Sequence, residues 1–263
     1  MSFSQPLTRR SLFQATALLG SATLMPAAFA TLTPSVLESG LWSAKALPLG
    51  QHAAGAVKRH AFITEACSGA LAKPAFVAYM TLNIAYLTDY ARSLDMLASR
   101  VGAFADLKTE SEALRTWAKE TVGVKDWCID LYQQIAKRNY NAKRVPSFPA
   151  GVDYAKFERM YVLKYDVAVG MAALLPCFWI YEEIGGHIAK LRQTQGNAYS
   201  EWLESFGTQA SHEAALKAVA LADKLAARAD DTVRRQMTDV FVAGCWKEFA
   251  CFDAAYRTLF RNL

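Results

Sequence analysis

Leu174-Leu175-Pro176-Cys177-Phe178-Trp179-Ile180-Tyr181-Glu182-Glu183-Ile184-Gly185 is the stretch from which the fold can be read. Cys177 and Tyr181 are four residues apart, so on a helix they share a face. The run from Val167 to Tyr181 carries no charge and is closed by Glu182-Glu183. That is short for a membrane span and fits a core helix. Pro176 removes one helical hydrogen bond and crowds the carbonyl of Ala172. Either the helix kinks there, or a new turn opens with proline in its first position. In both cases backbone groups near Cys177 lose helical partners. A thiol beside free N–H groups becomes a better nucleophile; the alternative is a structural cysteine in a buried helix.

Outward from this segment the pattern stays helical. Val57 to about Gly69 reads as a helix. Pro74 opens another that runs to about Phe104, with Phe76, Met80, Asn83, Ile84, Leu87 and Tyr90 at three- and four-residue spacing. Glu110 to about Gln134 gives one helix, or two broken at Gly123. Pro146 and Pro149 mark 139–151 as a loop. Tyr154 to about Ala173 leads into the opening stretch, which continues to about Leu191. After a turn at Gly196-Asn197, helices are expected over Tyr199–Phe206, Ser211–Ala229 and Asp231–Phe260. No run has strand periodicity. The fold class is all-α, a single bundle of seven or more helices.

The chain has 263 residues, 53% hydrophobic and 20% charged, with net charge +5. The basic residues are scattered, which argues against a nucleic-acid partner. The five cysteines form no CxxC pair, and His52, His60, His187 and His212 fall into no metal-ligand spacing; neither metal nor cofactor is expected. Thr8-Arg9-Arg10-Ser11-Leu12-Phe13 resembles a twin-arginine export signal. An uncharged stretch follows and ends in Ala28-Phe29-Ala30, a small-x-small cleavage site. The expected organisation is a signal over 1–30, a linker or arm over 31–50 containing Pro34 and Pro48, and a helical domain over 51–263. The mature protein would be periplasmic or extracellular, with no membrane contact once the signal is removed.

Phe76-Val77-Ala78-Tyr79-Met80-Thr81-Leu82-Asn83-Ile84-Ala85-Tyr86-Leu87 has the rhythm F-x-x-Y-x-x-Q-D-x-x-Y-L. With Pro176-Cys177-Phe178-Trp179-Ile180-Tyr181, Tyr199-Ser200-Glu201-Trp202 and Glu248-Phe249-Ala250-Cys251-Phe252-Asp253-Ala254-Ala255-Tyr256, it resembles the TenA/thiaminase II family over roughly residues 50–260. The resemblance implies a haem-oxygenase-like helical bundle without haem, commonly a homotetramer. It also implies hydrolysis of thiamin-derived aminopyrimidines, with a pyrimidine or thiamin-related small molecule as the ligand. Carried over, Cys177 is the nucleophile and Glu248 the acid/base, and Tyr86, Tyr154 and Tyr181 line the pocket. Three positions depart from the pattern: Leu82 stands for the glutamine, Asn83 for the aspartate, and Phe206 for a tyrosine.

The residue types suit this chemistry. Attack on an aminopyrimidine puts charge on ring nitrogens, so a nucleophile and a proton donor are the minimum. Glu248 lies among Phe241, Trp246, Phe249 and Phe252 in sequence, surroundings that would raise its pKa. Asn83 can pair with a neutral aminopyrimidine edge, whereas a protonated edge calls for a carboxylate; Asn83 is therefore expected to permit binding and limit turnover. The competing reading is an exported protein that binds thiamin or its pyrimidine fragment without turning it over. A metal-dependent oxidase on the same fold would need clustered carboxylate and histidine ligands.

Overall fold

The computed structural model describes residues 40–260. Among them are nine α-helices, which we number α1 (Trp42–Lys58), α2 (Ala61–Ser68), α3 (Lys73–Val101), α4 (Lys108–Ala136), α5 (Pro149–Lys164), α6 (Val167–Leu191), α7 (Ser200–Glu204), α8 (Gln209–Ala226) and α9 (Asp231–Tyr256). No strand occurs among the described residues. The expected signal over 1–30 lies outside them.

α6 is the central element. It is long and apolar enough to cross a membrane, and 72% of its most apolar window is buried; α1, α2, α3, α5, α8 and α9 pack against it. It runs through Pro176 as one helix. The ring fits because α9 presents Gly244 to it: a Cβ there would sit 2.7 Å from Pro176 Cγ. Pro176 therefore marks a close helix–helix approach and starts no new helix. The group it frees is a carbonyl, that of Ala172. Contrary to the expectation from sequence, Pro176 therefore leaves no freed N–H donor beside Cys177.

Four boundaries differ from those read in the sequence. α5 starts at Pro149, inside the loop expected over 139–151, because proline is tolerated in a helix's first turn. Residues 42–50, expected within a linker or arm, form the start of α1, with Trp42, Ser43, Ala46, Leu47 and Gly50 buried. Burial of that face outweighs the bond lost at Pro48. A Cβ on Gly50 would lie 2.6 Å from the Trp179 ring of α6, and Asp223 of α8 accepts from the Ser43 N–H at 2.8 Å and its hydroxyl at 2.6 Å. The helix expected over Val57–Gly69 is broken at Arg59-His60, where His60 Nδ1 caps α2 by accepting from the Phe62 N–H. The helix expected from Tyr154 onward is split at Tyr165-Asp166. Asp166 caps α6 through the Ala168 N–H at 2.8 Å, as its short acceptor side chain ahead of an apolar run allows. α4 passes Gly123 unbroken.

Candidate active site

Four helices bring their polar residues to one place. Tyr79, Asn83, Tyr86 and Tyr90 form a stripe on α3 at spacings of four, three and four. α5 contributes Tyr154 and Glu158, α6 contributes Cys177 and Tyr181, and α9 contributes Glu248. Tyr86, Tyr90, Tyr154, Glu158 and Glu248 are all buried, while Cys177 is half-buried.

Aromatic stacking fixes the walls. Tyr86 stacks on Tyr154, with ring centroids 4.9 Å apart and planes 15° from parallel, and on Tyr90 at 5.5 Å. On the other side Tyr181 stacks on Phe206 at 5.8 Å and 9°, and its hydroxyl bonds that of Tyr79 at 2.6 Å. The Tyr90 hydroxyl donates to the Leu174 carbonyl at 3.0 Å and lies within hydrogen-bond reach of Cys177. Burial pushes the phenol pKa values of Tyr86, Tyr90 and Tyr154 well up, and charges on Cys177, Glu158 and Glu248 push in the same direction. Tyr181 is raised by burial, and also by Tyr79, Glu248 and Cys177. The thiol and both carboxylates thus act on one set of tyrosines.

Burial pushes the Glu248 carboxyl from 4.5 up to about 8, with Tyr154 pulling the other way. Phe241 and Phe252 are fully buried near it in sequence, but Trp246, expected among its apolar surroundings, is 45% exposed; on α9 it points away from the core. Glu158, which the sequence reading did not single out, is 0% exposed. Its Oε1 accepts from the Tyr86 hydroxyl at 2.7 Å. Burial holds its pKa well above the usual carboxylate range, and the charge on Glu248 adds to that. The Tyr154 hydroxyl is close enough to pull down both carboxyls, yet outside good hydrogen-bond geometry with either. Consequently Glu158 Oε2, Glu248 Oε1 and the Tyr154 hydroxyl have no hydrogen-bond partner among the described residues. Three buried polar atoms left unsatisfied together suit a polar ligand, because leaving them so costs roughly 1–3 kcal/mol each.

Asn83 lies in the α3 stripe, but its amide donates to Cys128 Sγ of α4 at 3.6 Å. A cavity of about 480 Å³ lies behind Tyr86, between α3, α4 and the segment before α5, lined also by Asp89, Arg92, Lys125 and Tyr140. Among the described residues no group of three His, Cys, Asp or Glu side chains is arranged to hold a metal ion.

A family model described as the TENA/THI-4/PQQC family matches residues 48–258. The thiamine biosynthesis multifunctional protein ThiED of Corynebacterium efficiens is 27% identical over 222 residues, which is 82% of this chain and 28% of that protein. The chain thus spans less than a third of that relative. Aminopyrimidine aminohydrolase of Bacillus subtilis is 27% identical over 204 residues, 75% of this chain and 82% of that enzyme. Among solved structures, a TenA homologue from P. horikoshii OT3 superposes with a TM-score of 0.71 at 20% identity, covering 82% of this chain and 99% of the other. A TenA homologue from Pyrococcus furiosus gives the same TM-score at 13% identity, covering 82% and 100%. These two show the fold.

Proposed function

The chain belongs to the TENA/THI-4/PQQC family, and from that membership we propose that it hydrolyses thiamin-derived aminopyrimidines, with Cys177 as nucleophile and Glu248 as proton donor. The observation carrying this reading is the pairing of a thiol with a buried carboxyl of pKa about 8 on one set of stacked tyrosines. A carboxyl of that pKa is mostly protonated at neutral pH and can still give its proton away, as a general acid must. The likeness to an aminopyrimidine aminohydrolase supports the same substrate class.

The residues divide the work as follows. The flat ring lies against the tyrosines, whose faces are apolar and whose hydroxyls can reach its edge. The Cys177 sulfur adds to a ring carbon, and the electron pair displaced onto a ring nitrogen takes the proton of Glu248. The exocyclic amine having taken the thiol proton before the sulfur adds, the electron-rich ring then expels it from the exocyclic carbon as the neutral amine. Water adds at that carbon, the sulfur departs with its bonding pair, and Glu248 recovers a proton. The net change is amine plus water to alcohol plus free amine. Tyr90, within reach of Cys177, can accept from the thiol while its own O–H donates to the Leu174 carbonyl.

The test is incubation of the purified protein with thiamin and, separately, with aminomethylpyrimidine, with mass analysis for hydroxymethylpyrimidine. Product in excess over enzyme is expected. Tight binding without product would instead favour the second reading, a binding protein for the pyrimidine fragment, which Asn83 in place of the family aspartate supports.

A further inference from the structure

Glu158 has no structural reason to be a carboxylate. It is fully buried in the middle of α5. The strongest charges acting on it, Glu248 and Asp89, are acidic, and among the described residues it forms no ion pair. A buried, unpaired acid is among the costliest groups a core can hold, and an apolar side chain of similar volume would be tolerated there at lower cost. One oxygen is oriented by the Tyr86 hydroxyl at 2.7 Å, and the other, Oε2, has no partner among the described residues. Tyr154, one turn earlier on the same face of α5, stacks on Tyr86. The oriented acid therefore stands at the edge of the aromatic wall on which a flat ring would rest.

The chemistry of the ring says what such an acid matches. A 4-aminopyrimidine that has gained a proton on the nitrogen beside its amino group presents two N–H donors on one edge. A carboxylate accepts from both; a carboxamide, with one acceptor oxygen, does not. Asn83 turns its amide N–H to Cys128 Sγ at 3.6 Å and offers one acceptor oxygen, and Glu248 is occupied in delivering a proton. We propose that Glu158 is a substrate-binding carboxylate that selects 4-aminopyrimidines by pairing through Oε2 with the protonated ring edge. This rests on the hydrolase reading above and adds a residue and a recognised chemical form to it. On binding, the proton held by the Glu158 carboxyl moves to the ring nitrogen, leaving a carboxylate beside a pyrimidinium, so no outside proton source is needed.

The experiment pairs turnover with a spectrum. Hydroxymethylpyrimidine, the product, is bound to wild-type protein and to Glu158→Gln, and the ultraviolet difference spectrum reports whether the bound ring is protonated at a pH where the free ring is neutral. The wild type should show the protonated ring and Glu158→Gln the neutral one. On aminomethylpyrimidine, Glu158→Gln should lose about tenfold or more in kcat, with a smaller change in KM, as expected for one charge-assisted bond tightened in the transition state. Glu158→Asp, which keeps the charge, should keep the protonated spectrum, and it carries the test if the glutamine variant fails to fold. A neutral ring on the wild type, or a protonated ring and wild-type kcat in folded Glu158→Gln, overturns the proposal while leaving hydrolysis intact. A wild type that neither binds nor converts any pyrimidine overturns the hydrolase reading, and this proposal with it.

Discussion

Replacing Glu248 with glutamine should make the protein more stable at neutral and alkaline pH while abolishing its chemistry. In the folded protein the carboxyl holds its proton up to about pH 8, whereas its ordinary value is 4.5. Below pH 4.5 both folded and unfolded states carry the proton, and the group costs nothing. Between 4.5 and about 8 the unfolded chain releases a proton that the folded chain keeps. Ionisation then favours unfolding, and stability falls as pH rises. At about 1.4 kcal/mol per pKa unit, the rise from 4.5 to about 8 amounts to ~5 kcal/mol above pH 8 and about 3 kcal/mol at pH 7. Glu158 slopes the same way, and neutralising its acidic neighbour eases its own burden, so both effects favour the variant. At this chain length about 3 kcal/mol corresponds to a gain of roughly 6–12 °C in Tm. Urea unfolding followed by circular dichroism at pH 5, 7 and 9 measures it. Wild type should weaken across the series, with Glu248→Gln much flatter. Parallel curves for the two proteins would refute the claim that the carboxyl is held protonated.

Other outcomes follow from particular contacts. Gly244→Ala puts a methyl group 2.7 Å from the Pro176 ring, which is held by its helix and cannot rotate away. It should cost about 1–3 kcal/mol in thermal unfolding and lower kcat more than KM, because it pushes apart the helices carrying Cys177 and Glu248. Asn83→Asp, for which the family pattern predicts a large gain in turnover, should leave kcat within about threefold of wild type, since two acids already face the ring, but should restore part of the activity lost in Glu158→Gln. We also propose export by the twin-arginine route: N-terminal sequencing of the mature protein should begin at Thr31, and Arg9→Lys with Arg10→Lys should leave precursor in the cytoplasm.

The sequence made much of the site legible, and its omissions have physical causes. Cys177 with Tyr181, and Tyr86 with Tyr90, are pairs one helical turn apart, so periodicity alone puts each pair on one face. Glu158 was overlooked because Lys156 and Arg159 flank it, and a glutamate between basic residues reads as a solvated helix face. The signal that marks it is its place four residues after Tyr154, on the same helix face. Pro48 and Pro176 misled in the same way: each weakens its helix locally, and in each case tertiary packing outweighs that, through Gly50 against Trp179 and Gly244 against Pro176. What proline costs a helix is local and can be read from sequence, whereas the glycine that makes room for it is distant and cannot. The break at Asp166 had a visible signal, an N-capping residue before an apolar run, which the continuous apolar pattern on either side obscured.

The central claim is that Cys177 does covalent chemistry beside an acid, and the most direct measurement is quenched-flow mass analysis of the Cys177 peptide during turnover of aminomethylpyrimidine, in wild type and Cys177→Ser. The account predicts a transient pyrimidine adduct on Cys177 in the wild type, and in the folded serine variant no adduct and a kcat lower by about a hundredfold or more. Hydroxymethylpyrimidine formed at the wild-type rate by Cys177→Ser would contradict it.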